Sequence, residues 1–380
     1  MNRWTRIFIW CASSLLTTFC IHSSGTAFAA SVQIFTSFNY ANPAALNQIK
    51  NGEISLGGFA INLNTKFSGT ANGLTGIATS NSNYLQPYGQ FASRINNRMV
   101  IGVAVTQPSY VRIQFPKSSV VRYSAIDTIA TDRDYNFKIS YIVTPGLFLG
   151  AGINANDLMD SQLNFTVGSN ELTNKSNGNT WGFGWNAGLL YFVTPSTFFN
   201  LYYYSKIIHH SSGNSSSWGS ITSNRYAANG YIPATSSLNV TQILSPALTL
   251  SATLRYSQWS IARALVLQNT AIGNMTIPLH YRNTWYEKIA ARIQIHEKLA
   301  LIAAIAHDGN PQATQFRIIG LPAYYAMDYS AGTEYAVTKS LSGKIIFGYG
   351  ASNPPIGNAT ANGNMRVRAS MVDFSLTWKI

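Results

Sequence analysis

From about residue 50 onward the chain alternates between apolar and polar or small residues with a period of two. The pattern is plainest around Asn179–Ser205. There Trp181, Phe183, Trp185, Ala187, Leu189, Tyr191 and Val193 occupy odd positions, with Gly182, Gly184, Asn186 and Gly188 between them. Successive strand side chains point to opposite faces, so this spacing predicts an apolar wall backed by a small, polar one. Thr194-Pro195-Ser196 predicts a tight turn, after which Phe199, Leu201 and Tyr203 resume the wall. Tyr135, Phe137, Ile139 and Tyr141 alternate with Asn136, Lys138 and Ser140, and Leu248, Leu250, Ala252 and Leu254 with Thr249, Ser251, Thr253 and Arg255. Aromatic residues gather toward strand ends, as in the girdles at the two interfaces of a membrane barrel.

The strands are punctuated regularly. Short turns are predicted at Asn96-Asn97, Thr144-Pro145-Gly146, Thr194-Pro195-Ser196, Ser245-Pro246-Ala247, His296-Glu297-Lys298 and Thr338-Lys339-Ser340. Pro and Asn suit such turns because their backbone dihedrals are cheaply preset. Between them lie longer polar stretches such as Ser211–Asn224 and Asn353–Asn364. Six turns pair twelve strands. A first strand near 53–64 and a last near 365–379 bring the count to about fourteen. The predicted fold is therefore all-β: a transmembrane antiparallel barrel of about 14 strands, short turns periplasmic and long loops outside. Two phase slips, at Gly57-Gly58 and Met371-Val372, predict β-bulges. The second strand, near 83–95, alternates poorly.

Composition sharpens this picture. The chain has 380 residues, only 10% of them charged, with 21 Tyr, 19 Phe and 8 Trp. After the N-terminus no apolar run reaches the roughly 18 residues of a spanning helix. Residues 1–29 read as a secretory signal peptide, with Arg3 and Arg6 ahead of an apolar stretch and Ala27-Phe28-Ala29 as the cleavage pattern. Cleavage there removes both cysteines, Cys11 and Cys20, so disulfide chemistry is not expected. The formal net charge is +13, but the basic residues are dispersed rather than clustered, which argues against nucleic acid as a partner.

With the apolar face outward, Lys138, Lys206, Arg255, Lys288, Arg292, Lys344, Arg366 and Arg368 are expected to point into the lumen, against Asp328, Glu334 and Asp373. That predicts a basic interior which concentrates anions. Arg255, Lys288 and Arg292, with Lys138, are the candidate contacts for a ligand carboxylate. Two stretches are unusually apolar for loops: Pro108–Val121, with Val111 and Phe115, and Ile261–Leu279, with Leu265 and Leu267. They are the candidate external groove. No catalytic, metal or cofactor constellation emerges. His209-His210-Ser211 reads as a solvated loop edge, since no third group can be named to orient a base beside the serine.

Two segments resemble the FadL/TodX family of outer-membrane transporters for long-chain fatty acids and other hydrophobic compounds. They are Trp181-Gly182-Phe183-Gly184-Trp185-Asn186-Ala187-Gly188, and Asn42-Pro43-Ala44 followed by Gly52-Glu53-Ile54-Ser55-Leu56-Gly57. The resemblance implies a barrel over residues 52–380 and a plugging segment over residues 30–51, short for the family. It also implies a lateral opening beside a kinked third strand, here with Gly102 inside it and Pro108 after it. The expected function is passive uptake of hydrophobic small molecules, long-chain fatty acids first, by a monomer in the bacterial outer membrane among its lipids and lipopolysaccharide, without enzymatic chemistry. The alternatives are a barrel that only presents loops, as an adhesin or structural protein, or a carrier of aromatic hydrocarbons.

Overall fold

A computed structural model describes residues 42–380 apart from Ser109, Trp218, Gly219, Tyr324 and Tyr325. The expected signal peptide and the start of the 30–51 segment lie outside the described residues. Twenty-one strands are numbered in chain order. Fourteen form the barrel wall: β1 (Gly52–Ala71), β2 (Leu74–Arg94), β3 (Met99–Thr106), β5 (Asp127–Thr144), β6 (Leu147–Val167), β8 (Thr180–Phe192), β9 (Thr197–Tyr204), β12 (Thr235–Ile243), β13 (Leu248–Ser257), β16 (Thr284–His296), β17 (Leu299–Asp308), β18 (Ala326–Ala336), β19 (Leu341–Ser352) and β21 (Ala361–Lys379). Each pairs antiparallel with the next, and β21 returns to β1. All six predicted short turns join neighbouring wall strands.

The first and last strands are far longer than a bilayer requires. Twenty residues at about 3.3 Å each span roughly 65 Å, whereas a tilted spanning strand needs about 9–11 residues. The excess explains the irregular alternation of β1 and β2. Near the periplasmic end their outward residues are apolar, with Leu56 and Leu85 well exposed. Further along, the outward residues become Asn62, Asn64, Asn81 and Asn83, while Phe59, Ile61, Leu63, Phe67, Tyr84 and Tyr88 are buried inside. The polarity inverts because the strands leave the hydrocarbon and enclose a core of their own. The two predicted bulges are therefore not formed. The ladders through Gly57-Gly58 and Met371-Val372 run without a register shift. For the same reason Arg366 and Arg368 lie on the outer face rather than in the lumen, and Lys206, just past β9, is exposed.

The remaining strands build the extracellular side. β7 (Asn170–Ser176) continues from β6, and β10 (Ile207–Ser217), β11 (Ser220–Ile232), β14 (Ala264–Thr270) and β15 (Gly273–Pro278) follow it side by side. The polar stretch Ser211–Asn224, expected as a loop, is thus mostly a hairpin. Lys117 and Glu171 form an ion pair of 2.5 Å across this side, which holds the Lys117 ammonium above its ordinary pKa. With Lys117 exposed, such a pair stabilises little.

At the other end a short 3-10 turn, Pro43–Gln48, sits inside the barrel. Asn42 caps it by accepting from the Ala44 N–H (2.9 Å) while its amide donates to the Leu189 carbonyl (2.7 Å). The Ser140 hydroxyl donates to the Ala44 carbonyl at 2.8 Å, and Arg94 donates to the carbonyls of Asn47, Ile49 and Lys50 at 2.5 to 2.7 Å. Three glycines make room for the turn. A Cβ at Gly188 would overlap Asn42, one at Gly150 would overlap Ala44, and one at Gly102 would meet Leu46 at 3.0 Å. The Asn-Pro-Ala motif and the glycine ending the Trp-Gly-Phe-Gly-Trp-Asn-Ala-Gly run are therefore in contact. Replacing Gly150 by Val should expel the turn without unfolding the wall. Planar-bilayer recordings should then show a higher conductance than wild type, with heat-modifiable gel mobility unchanged; unaltered conductance would contradict this seating.

Candidate functional site

The wall is incomplete beside the third strand. β2 pairs with β3 only from Gly89 to Arg94, so Leu74–Tyr88 are laddered on one side, to β1, among the described residues. β3 stops at Thr106, and β4 (Tyr110–Gln114) resumes along β5 rather than along β2. Pro108 in the link has no N–H to donate. Two side-chain contacts flank the break, Gln86 amide to the Gln107 carbonyl at 3.3 Å and the Gln114 N–H to the Ser80 hydroxyl at 2.8 Å. Gly102 packs against Leu46 of the inner turn, and β3 itself stays in register with both neighbours. The interruption comes from the early end of β3, not from a bend at Gly102.

Under the extracellular sheet lies an apolar cavity with about 1000 Å³ of empty space inside it and at its mouth. Trp259, Tyr281, Tyr226 and Leu158 supply much of its wall, and Leu265 and Leu267 of β14 complete it. Of the groove residues expected from sequence, these two line the cavity. Val111 and Phe115 do not join them; they are buried in the separate core with Phe59, Phe67 and Met371. The two apolar loop stretches thus serve different clusters. Trp259 and Tyr281 gave no sequence signal, since each sits singly in an irregular segment whose placement depends on tertiary packing.

His209 corrects another expectation. It is not at a solvated loop edge; it is buried, lines the cavity and contacts the Asn156 carbonyl through Nε2 at 3.2 Å. Burial, opposed by that hydrogen bond, holds its imidazole below the ordinary pKa. The Ser211 hydroxyl donates to the Ala228 carbonyl at 2.8 Å.

The loop between β17 and β18 closes one side of the cavity with Leu321 and is held by the fully buried Arg317. Its guanidinium donates to the carbonyls of Ala323 (2.7 Å), Gln312 (2.5 Å) and Pro355. The Arg317 carbonyl in turn accepts from Asn358 at 2.8 Å.

Below the cavity the lumen is polar rather than basic. Lys138, Arg255, Lys288, Arg292 and Lys344 face inward, but so do Asp132, Asp134, Asp308, Asp328, Glu334 and Asp373. The expected excess of cations vanishes because Lys206, Arg366 and Arg368 do not point in, whereas Asp132, Asp134 and Asp308 do. Arg292 pairs with Glu334 at 3.5 Å, and Lys344 pairs with Asp373 at 3.1 Å, which accepts from the Tyr88 hydroxyl at 2.8 Å. Arg255 stacks over the Tyr286 ring at 4.2 Å. Lys288 is buried on β16, the strand that pairs with β13 and so neighbours Arg255, while Lys138 is buried on β5. On that wall Asn154 and Asn156 donate to Asp134 and Asp132 at 2.7 and 2.9 Å.

A fourteen-stranded antiparallel wall that returns on itself, with an inner turn, a break beside the third strand and an apolar cavity, defines an outer-membrane β-barrel. The chain belongs to the family of outer membrane protein transport proteins (OMPP1/FadL/TodX), which it matches over residues 7–363. It is 27% identical over 197 residues to the long-chain fatty acid transport protein of Escherichia coli K12, a match covering 46% of this chain and 43% of that one. It is 22% identical to outer membrane protein P1 of Haemophilus influenzae over 81% of this chain and 78% of that one. The match thus spans less than half the length of the fatty acid transporter. Among solved structures, a Pseudomonas aeruginosa FadL homologue superposes with a TM-score of 0.80 at 18% identity, covering 93% of this chain and 96% of that one. The Pseudomonas putida toluene transporter TodX does so at 0.68 and 14%, covering 92% and 96%. These similarities establish the fold.

Removing one partner of a buried pair strands the other, at a cost of roughly 3–5 kcal/mol. Arg292→Ala should therefore lower the urea midpoint of the folded barrel in detergent, and Arg292→Ala with Glu334→Ala should recover part of the loss. Additive losses would show that the pair does not act as one.

Proposed function

We propose that the protein is a passive, energy-independent route for hydrophobic compounds across the outer membrane, with long-chain fatty acids as the first ligand class and aromatic hydrocarbons as the second. The aromatic-walled cavity beneath the extracellular sheet carries this reading. A barrel that merely presents loops has no need of an apolar cavity, and concave, mostly apolar sites are where small ligands bind. Ligand enters the cavity past Leu265 and Leu267 and leaves sideways through the break between β2 and β4. Lateral exit delivers an apolar solute to hydrocarbon without crossing the polar lumen. Arg255 and Lys288 are the proposed contacts for a carboxylate. Arg292, already paired with Glu334, and Lys138, on the distant wall, serve to brace. The barrel acts as a monomer, since its closed wall leaves little backbone for another chain to pair with.

Two uptake experiments test this in a strain lacking the protein. Leu265→Asp with Leu267→Asp should reduce uptake of both labelled oleate and labelled toluene at least severalfold, at equal amounts of folded barrel. Undiminished uptake of both would refute the cavity as the entry site. Arg255→Gln with Lys288→Gln should slow oleate and spare toluene; equal effects on both would remove the carboxylate contact.

A further inference from the structure

We propose that the outer face of β1 and β21 carries a binding site for the phosphates of an outer-leaflet glycolipid, formed by Lys66, Arg366 and Arg368. The inference rests on the outer-membrane reading but not on transport. The continuous apolar exterior ends at the same level on three neighbouring strands, with Ile77 of β2 exposed singly beyond it. Ala60 is paired with Val372 on one side and Leu85 on the other, and the next outward row is Asn62, paired with Ser370 and Asn83. Asn62 fixes that row by donating to Asn81 and Asn83, both at 2.7 Å. Arg368 and Arg366 follow Ser370 outward. They lie roughly 10 to 15 Å above the last apolar row, allowing for strand tilt, at the level of lipid headgroups.

The register then does something costly. Lys66 lies directly opposite Arg366, and Asn64 opposite Arg368. Like charges directly opposite each other on one face destabilise a sheet. None of the ion pairs among the described residues involves these three cations. Neither flanking strand, β2 or β19, contains an acidic residue, and in β1 and β21 the acids are Glu53, at the far end, and Asp373, which faces inward. Arg368 is steadied by the Ser352 carbonyl (2.9 Å) and Asn353 (3.3 Å), both uncharged acceptors. A phosphate between Lys66 and Arg366 would turn the repulsion into two charge-assisted contacts. At this height, above a lipid-facing belt, the anion within reach is the phosphorylated sugar of lipid A.

The test compares wild type with a Lys66→Gln/Arg366→Gln/Arg368→Gln variant, each refolded in detergent and checked by heat-modifiable mobility. Native mass spectrometry is run with bisphosphorylated lipid A, with the same lipid A dephosphorylated, and with inorganic phosphate as competitor. Wild type should hold bisphosphorylated lipid A at least tenfold more tightly than the dephosphorylated form. The variant should lose that preference, and millimolar inorganic phosphate should not displace the lipid. Thermal melting adds a sign test. Without glycolipid Lys66→Gln should raise the midpoint by relieving repulsion, and with bisphosphorylated lipid A it should lower it relative to wild type. Equal binding of both lipid A forms, displacement by inorganic phosphate, or a variant that binds like wild type would overturn the site. Loss of transport with lipid A binding intact would instead count against the proposed function alone, and recovery of the chain outside the outer-membrane fraction would remove the premise of both.

Discussion

Hydrocarbon cannot hydrogen-bond to a peptide group, and that constraint governs this molecule. Every strand in the bilayer must find partners on both sides, so β21 has to come back to β1 and the sheet has to close. The alternation of the sequence follows from closure, because a single-layer wall has one greasy side and one wet side. The break beside β3 becomes intelligible as a local exception. It begins at Tyr88 on β2, and its margins are bridged by the side chains of Gln86 and Ser80, bonded to the Gln107 carbonyl and the Gln114 N–H.

The interior is organised by charge balance. Carboxylates and cations face one another in short relays, such as Arg292 with Glu334 and Lys344 with Asp373 and Tyr88. Such relays offset part of the desolvation cost of burying these charges. Asp132 joins the two regions, lining the apolar cavity while accepting from Asn156 of the polar wall.

Much of this was legible in the sequence. The turn at Thr194-Pro195-Ser196, the wall built on Trp181 to Val193 and the closing strand all follow from period-two patterning. The pattern misled where its meaning changed. On β1 and β21 the apolar face turns inward above the membrane, and reading it as outward placed Arg366 and Arg368 in the lumen and demanded bulges at Gly57 and Met371. Local periodicity cannot report which medium lies outside. The cavity was half legible: Leu265 and Leu267 stood out in a stretch unusually apolar for a loop, while Trp259, Tyr281 and His209 reach it only through long-range packing. The inward acids Asp132 and Asp134 continue the face of Lys138 beyond the clearest alternation of β5, and Asp308 ends β17, where strand end and loop read alike.

Arg317 shows how the extracellular cover is fastened. Beyond Cys20 the chain has no cysteine, so no disulfide can tie the long loops together. One guanidinium, buried and saturated with backbone carbonyls, does that work for the segments around Gln312, Ala323 and Pro355. A covalent staple can be cut only by reduction, whereas a hydrogen-bonded keystone opens and recloses thermally. The fastening beside the cavity is therefore indifferent to the redox state of the surrounding medium.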